Sequence, residues 1–131
     1  LGYLMLHRGR WKSEQVVPAA FVADALTPSQ SLNRGYGFLW WVNGQSPTKS
    51  AMNKAKAEMI FPYAPADLVT AKGFGSQFID VIPSLDMVVV RFGKDPMADM
   101  TIANAQEMLI SDDNSDTHRD ILMPILEAVL R

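Results

Sequence analysis

Cysteine is absent from the 131 residues. Disulfides and thiolate metal sites are therefore excluded, while the compartment stays open, periplasm and cytoplasm alike. Excess charge is absent too. Twelve Lys and Arg face fourteen Asp and Glu, a net charge of −2. That balance gives no electrostatic basis for binding nucleic acid or an anionic membrane. No apolar run is long enough to span a bilayer, so no membrane segment is expected. Internal repeats and a clear domain linker are also missing. So is an initiator methionine: the chain opens Leu1-Gly2-Tyr3-Leu4-Met5-Leu6, which reads as the last turns of an apolar helix with no cap before it. The expectation is that further sequence, and any targeting signal with it, precedes Leu1.

What is present suffices for a core, since 48% of residues are hydrophobic. The length suits one domain or a piece of a larger one. The opening helix runs to His7, and Gly9 is placed to end it. Trp11 to Glu14 reads as a short turn. Pro18 starts a second helix, with Phe21, Val22, Ala25 and Leu26 as its apolar stripe and Thr27-Pro28 as its stop. Gly35 to Val42, "GYGFLWWV", reads as a strand, with Trp40 and Trp41 on opposite faces, and Asn43-Gly44 as the turn after it. Gln45 to Pro65 is an irregular, proline-interrupted excursion, and its Lys49, Lys54 and Lys56 read as solvated surface.

Asp67 to Ile82 reads as one strand containing Gly73-Phe74-Gly75, then a turn at Pro83 to Asp86. The run "MVVVRF" from Met87 to Phe92 reads as a central strand, buried on both faces except at Arg91. A short helix is expected over Thr101 to Ile110, then a polar loop. Asp116 or Thr117 caps a last helix from His118 to Arg131. Its apolar face is Ile121, Leu122, Ile125, Leu126, Val129 and Leu130, and Pro124 is a source of a kink. The predicted fold class is α/β of the α+β type, an antiparallel sheet flanked by helices.

Glycine weakens a strand, so Gly73 and Gly75 ask what approaches the backbone there. A bulge or tight bend is the purely structural answer. A functional answer comes from resemblance. "LMLHRGRWKSEQVVPAAFV", "YGFLWWVNG" and "AKGFGSQFIDVIPSLDMVVVRFG" resemble the C-terminal part of the serine β-lactamase-like hydrolases. That superfamily includes class C β-lactamases, penicillin-binding-protein-like D-alanyl-D-alanine carboxypeptidases, esterases and the 6-aminohexanoate-dimer hydrolases. The resemblance covers Leu1 to about Gly93 and weakens beyond.

The resemblance implies an acyl-enzyme mechanism built on three elements. A Ser-x-x-Lys supplies the nucleophile and a basic partner, a Tyr-x-Asn or Ser-x-Asn a proton relay, and a Lys-Thr-Gly-like strand one oxyanion N–H. A serine needs a base to attack, and loss of one oxyanion donor typically costs about 10²–10³ in rate. Ala71-Lys72-Gly73 takes the third place, which makes the Phe74 backbone N–H the oxyanion donor. Gly73, Lys72, Gly75 and Trp41 are then expected around an ester, amide or lactam substrate. Alanine at the first position, with the lysine one place late, argues against the usual β-lactam specificity. A second register slides Gly73 to Ser76 onto a later run and takes Phe74 away from the oxyanion.

The first two elements are expected upstream of Leu1, on the same or a second chain, so residues 1–131 would be the C-terminal segment of the domain, inactive alone. Ser46-Pro47-Thr48-Lys49 and Ser31-Leu32-Asn33 match the motifs in form, but in reversed order. The stretch after Ser46 has no apolar face for a buried helix. No cofactor or metal is expected: His7 and His118 lie far apart, with no carboxylate cluster at ligand spacing, and both read as solvated helix-end histidines. The alternative function is a non-catalytic binding or assembly module that keeps the scaffold and pairs through an exposed sheet edge.

Overall fold

The computed structural model describes residues 1–45, 48–49, 55–56, 59–73, 75–93 and 114–131. Helix α1, Gly2–Leu6, ends at His7. Arg8 and Gly9 follow with φ of 52° and 84°, and the Gly9 N–H bonds back to the Leu4 carbonyl at 2.6 Å. The helix therefore stops where Gly9 says it should. Residues 11–14 are more than a turn. β1, Arg10–Trp11, pairs antiparallel with β2, Glu14–Gln15, because Lys12 takes a left-handed φ of 56° and reverses the chain.

Helix α2, Ala19–Ala25, has Pro18 as its N-cap, where a missing N–H costs nothing. It buries Val22 and Ala25, but Phe21 is 53% exposed and lies against Phe38 instead. The predicted strand over Gly35 to Val42 is mostly a reversal. Tyr36 bridges to Trp41, the Gly37 N–H bonds to the Trp40 carbonyl at 2.9 Å, and Leu39 turns through a φ of 65°. Only Trp41–Val42 remains as strand β3. Within the excursion that follows, β4, Thr48–Lys49, pairs with β5, Ala55–Lys56.

The main sheet joins β3 to β6, Val69–Gly73, β7, Gln77–Ile82, and β8, Met87–Arg91, all antiparallel in the order β3-β6-β7-β8. Asp67 to Ile82 is thus two strands and not one. The chain reverses between Gly73 and Gln77, through left-handed Gly75 (φ 74°) and Ser76 (φ 57°). The turn at Pro83–Leu85 is a single 3₁₀ turn closed by left-handed Asp86. Strand β8 is an edge of the described sheet, not its centre. Val90 in it is 51% exposed, and Phe92 just beyond it 74%.

Alternation sends β6 and β7 side chains to two faces. On one face Val42, Val69 and Val81 pack with Met5 of α1, Val22 and Ala25 of α2, and Trp40. On the other, Leu68 and Ile82 pack with Phe61, Ala64 and two leucines, Leu122 and Leu126, of helix α3, Asn114–Val129. The architecture is α+β, an antiparallel sheet between helices. Trp40 enters the first core, while Trp41 is half-buried against the second.

Helix α3 starts earlier than His118 and carries Pro124 inside it. Both Pro124 and Asp120, whose carbonyl loses its helical partner, are on the exposed side, so water can serve that carbonyl. Val129 and Leu130, expected on the apolar face, are 53% and 65% exposed. The predicted helix over 101–110 lies outside the described residues.

Candidate functional site

The hairpin end that carries Gly73 is built from three strands. The ladder between β3 and β6 stops at Trp41 opposite Thr70. Beyond it, Ala71 to Gly73 have β7 on one side and no described strand on the other. The Asn43 N–H donates to the Leu68 carbonyl at 2.9 Å, so the even-numbered positions of β6 direct their backbone groups toward the β3 side. No described strand lies on that side at Lys72.

Gly73 and Gly75 are glycine for different reasons. Gly75 is buried and left-handed, as the reversal requires. Gly73 is exposed, has no such φ, and a Cβ there would meet only Gln77 Cβ at an ordinary 3.6 Å. Nothing within the described residues demands glycine at 73. The turn itself is pinned from β8 and β7. Arg91 Nη1 donates to the carbonyls of Gly75 and Ser76 at 3.2 and 2.7 Å, and Gln77 Nε2 donates to the Gly75 carbonyl at 3.0 Å. Phe74 lies outside the described residues, as does Ser46.

Lys72 shares a sheet face with Trp41, Phe78 and Asp80. Its Nζ stands 5.4 Å from the centre of the Phe61 ring, a cation–π contact. The structure thus brings Lys72, Gly73 and Gly75 to one hairpin end, with Trp41 on the adjacent strand. Ser31 and Asn33 are in a loop where the Asn33 side chain accepts from the Gly35 N–H at 3.1 Å, and Leu32 between them is 72% exposed.

The same face holds a second polar group that sequence reasoning passed over. His118 is not a solvated helix-end histidine: it is 1% exposed, and Asp80 is 0% exposed. Both Asp80 oxygens lie 3.0 Å from His118 Nε2, and the Tyr63 hydroxyl lies 2.6 Å from Nδ1. An ionised carboxylate only accepts, so Nε2 carries a hydrogen; in the neutral imidazole Nδ1 is then the acceptor for the phenol. The ring is boxed by Phe61 and Phe78 at 4.9 and 4.7 Å between centres. Opposite Asp80 in register, the Thr70 hydroxyl is buried without a partner. The signal was present: Asp80 is one charge in the apolar run Phe78 to Ile82, at a position alternation turns inward. Its partner, 38 residues away, was not readable from spacing.

Among the described residues no group of three or more His, Cys, Asp or Glu is arranged to hold a metal ion. No helix there is long and apolar enough to cross a membrane. No family model matches this chain, and no curated protein matches it at a significant level.

Proposed function

We propose that the chain is the C-terminal segment of a serine hydrolase with the β-lactamase-like fold, acting on ester, amide or lactam bonds through an acyl-enzyme. The observation that supports it is Gly73: an exposed glycine at a strand edge that no described strand covers, with neither a positive φ nor, among the described residues, a crowded Cβ to require it. A substrate that must lie against the β6 backbone supplies the missing reason. In this reading the Phe74 N–H donates to the oxyanion, Gly73 keeps the approach open, and Lys72, Gly75 and Trp41 border the substrate. The Ser-x-x-Lys and the proton relay come from outside these 131 residues, on the same or a companion chain. No cofactor takes part.

Substitution at Gly73 tests this in the hydrolase that contains the chain. Gly73→Val is expected to leave the fold intact and lower kcat for an activated ester by about 10²–10³. An unchanged kcat would remove the oxyanion role.

A second reading, a non-catalytic assembly module, draws on β8. Its outer edge is uncovered among the described residues, and Val90 is 51% exposed beside it. Such an edge pairs readily with another strand. If that is its use, Val90→Lys abolishes self-association or partner binding in size-exclusion chromatography, and a monomer at all concentrations with no partner excludes it.

A further inference from the structure

We propose that Tyr63 is a reactive phenol, a modification site for apolar acyl and sulfonyl electrophiles, with His118 as its base and Asp80 as the carboxylate that orients the base. The site rests on different residues from the hydrolase reading and stands or falls separately.

An activated nucleophile is recognised by a base within hydrogen-bond reach, itself held by a third group. Tyr63, His118 and Asp80 meet that description at 2.6 and 3.0 Å. In the neutral imidazole the carboxylate fixes the tautomer, and the lone pair of Nδ1 then faces the phenol. Burial of His118 and Asp80, with Phe61 and Phe78 against the ring, keeps this geometry from relaxing. Tyr63 itself is only half-buried. It borders an open hollow of about 430 Å³ lined by Pro65, Met123, Leu126 and Leu130 together with Glu127 and Arg131, large enough for a small aryl or alkyl group.

The step balances without a co-reactant. The phenolic oxygen attacks the sulfonyl sulfur or acyl carbon, and the bond to the leaving group breaks. The phenolic proton passes to Nδ1, leaving an imidazolium beside the Asp80 carboxylate. With a sulfonyl fluoride the products are a Tyr63 sulfonate ester and fluoride.

The other tyrosines are internal controls. Tyr3 is 43% exposed and stacks on His7, and Tyr36 lies edge-on to Trp41. Neither has an imidazole–carboxylate pair behind it among the described residues. Exposure alone would favour Tyr3. The experiment is to treat the chain with phenylmethanesulfonyl fluoride and map the adducts by peptide mass spectrometry. The expected result is labelling of Tyr63 at least roughly tenfold faster than Tyr3 or Tyr36, and on the order of 10²-fold slower labelling in Asp80→Asn, whose neutral amide can either donate to or accept from Nε2 and so neither fixes the tautomer nor stabilises the imidazolium. Equal labelling of the three tyrosines, or preference for Tyr3, overturns the proposal in the unaltered chain, whatever the variant does to folding.

Discussion

Asn43 shows what one side chain can hold together. It is buried, its amide donates to the carbonyls of Phe61 and Pro65 at 2.9 and 3.0 Å, and its oxygen accepts from the Phe61 N–H at 3.0 Å. It thus fastens the segment before β6 to the end of β3. Asn43→Asp would replace donors by a charge facing carbonyls, and a loss of about 3 kcal/mol is expected in urea unfolding. Asp80 and His118 follow the same logic on the sheet face. Asp80→Ala leaves the buried His118 N–H without its acceptor, with an expected cost of about 1–3 kcal/mol. The two glycines of the hairpin divide differently. Gly75→Ala meets a φ of 74° and is expected to lower stability by about 1 kcal/mol. Gly73→Ala would bring a Cβ to an ordinary 3.6 Å contact with Gln77 Cβ and is expected to leave the thermal midpoint unchanged.

At the scale of elements, α3 is docked by Leu122 and Leu126 against Ile82, Phe61 and Ala64. Leu122, 0% exposed, is its anchor. Leu122→Ala is expected to cost about 2–5 kcal/mol, measured by the denaturant midpoint. Much of this level was legible in the sequence, for physical reasons. Pro18, Gly9 and the 3.6-residue spacing of Leu122 and Leu126 act locally, and local signals survive folding. The reversal at Gly75 and Ser76 was not legible, because Val69 to Ile82 is apolar on both sides of it and reads as one continuous strand. The short extent of β3 escaped for a similar reason: "GYGFLWWV" has strand composition, while its hairpin is set by Leu39 in a left-handed φ. The edge position of β8 could not be read either, since a run of valines reports burial only when the neighbouring strand is known. His118 needed Asp80 and Tyr63, both far away in sequence, to reveal its burial.

Over the whole molecule, one antiparallel sheet separates two cores, with α1 and α2 on one side and α3 on the other. Among the described residues, no strand lies beside the C-terminal end of β6 on the β3 side, where Gly73 is placed. In the proposed function, this edge serves a serine nucleophile lying outside the 131 residues. A fluorophosphonate probe applied to the natural material, followed by mapping of the labelled peptide, is the decisive measurement. The expected result is the probe on a serine of a Ser-x-x-Lys sequence, in a polypeptide that contains or accompanies this chain. A probe on Ser46 or another serine within the chain, or no labelled serine in any accompanying polypeptide, would contradict it.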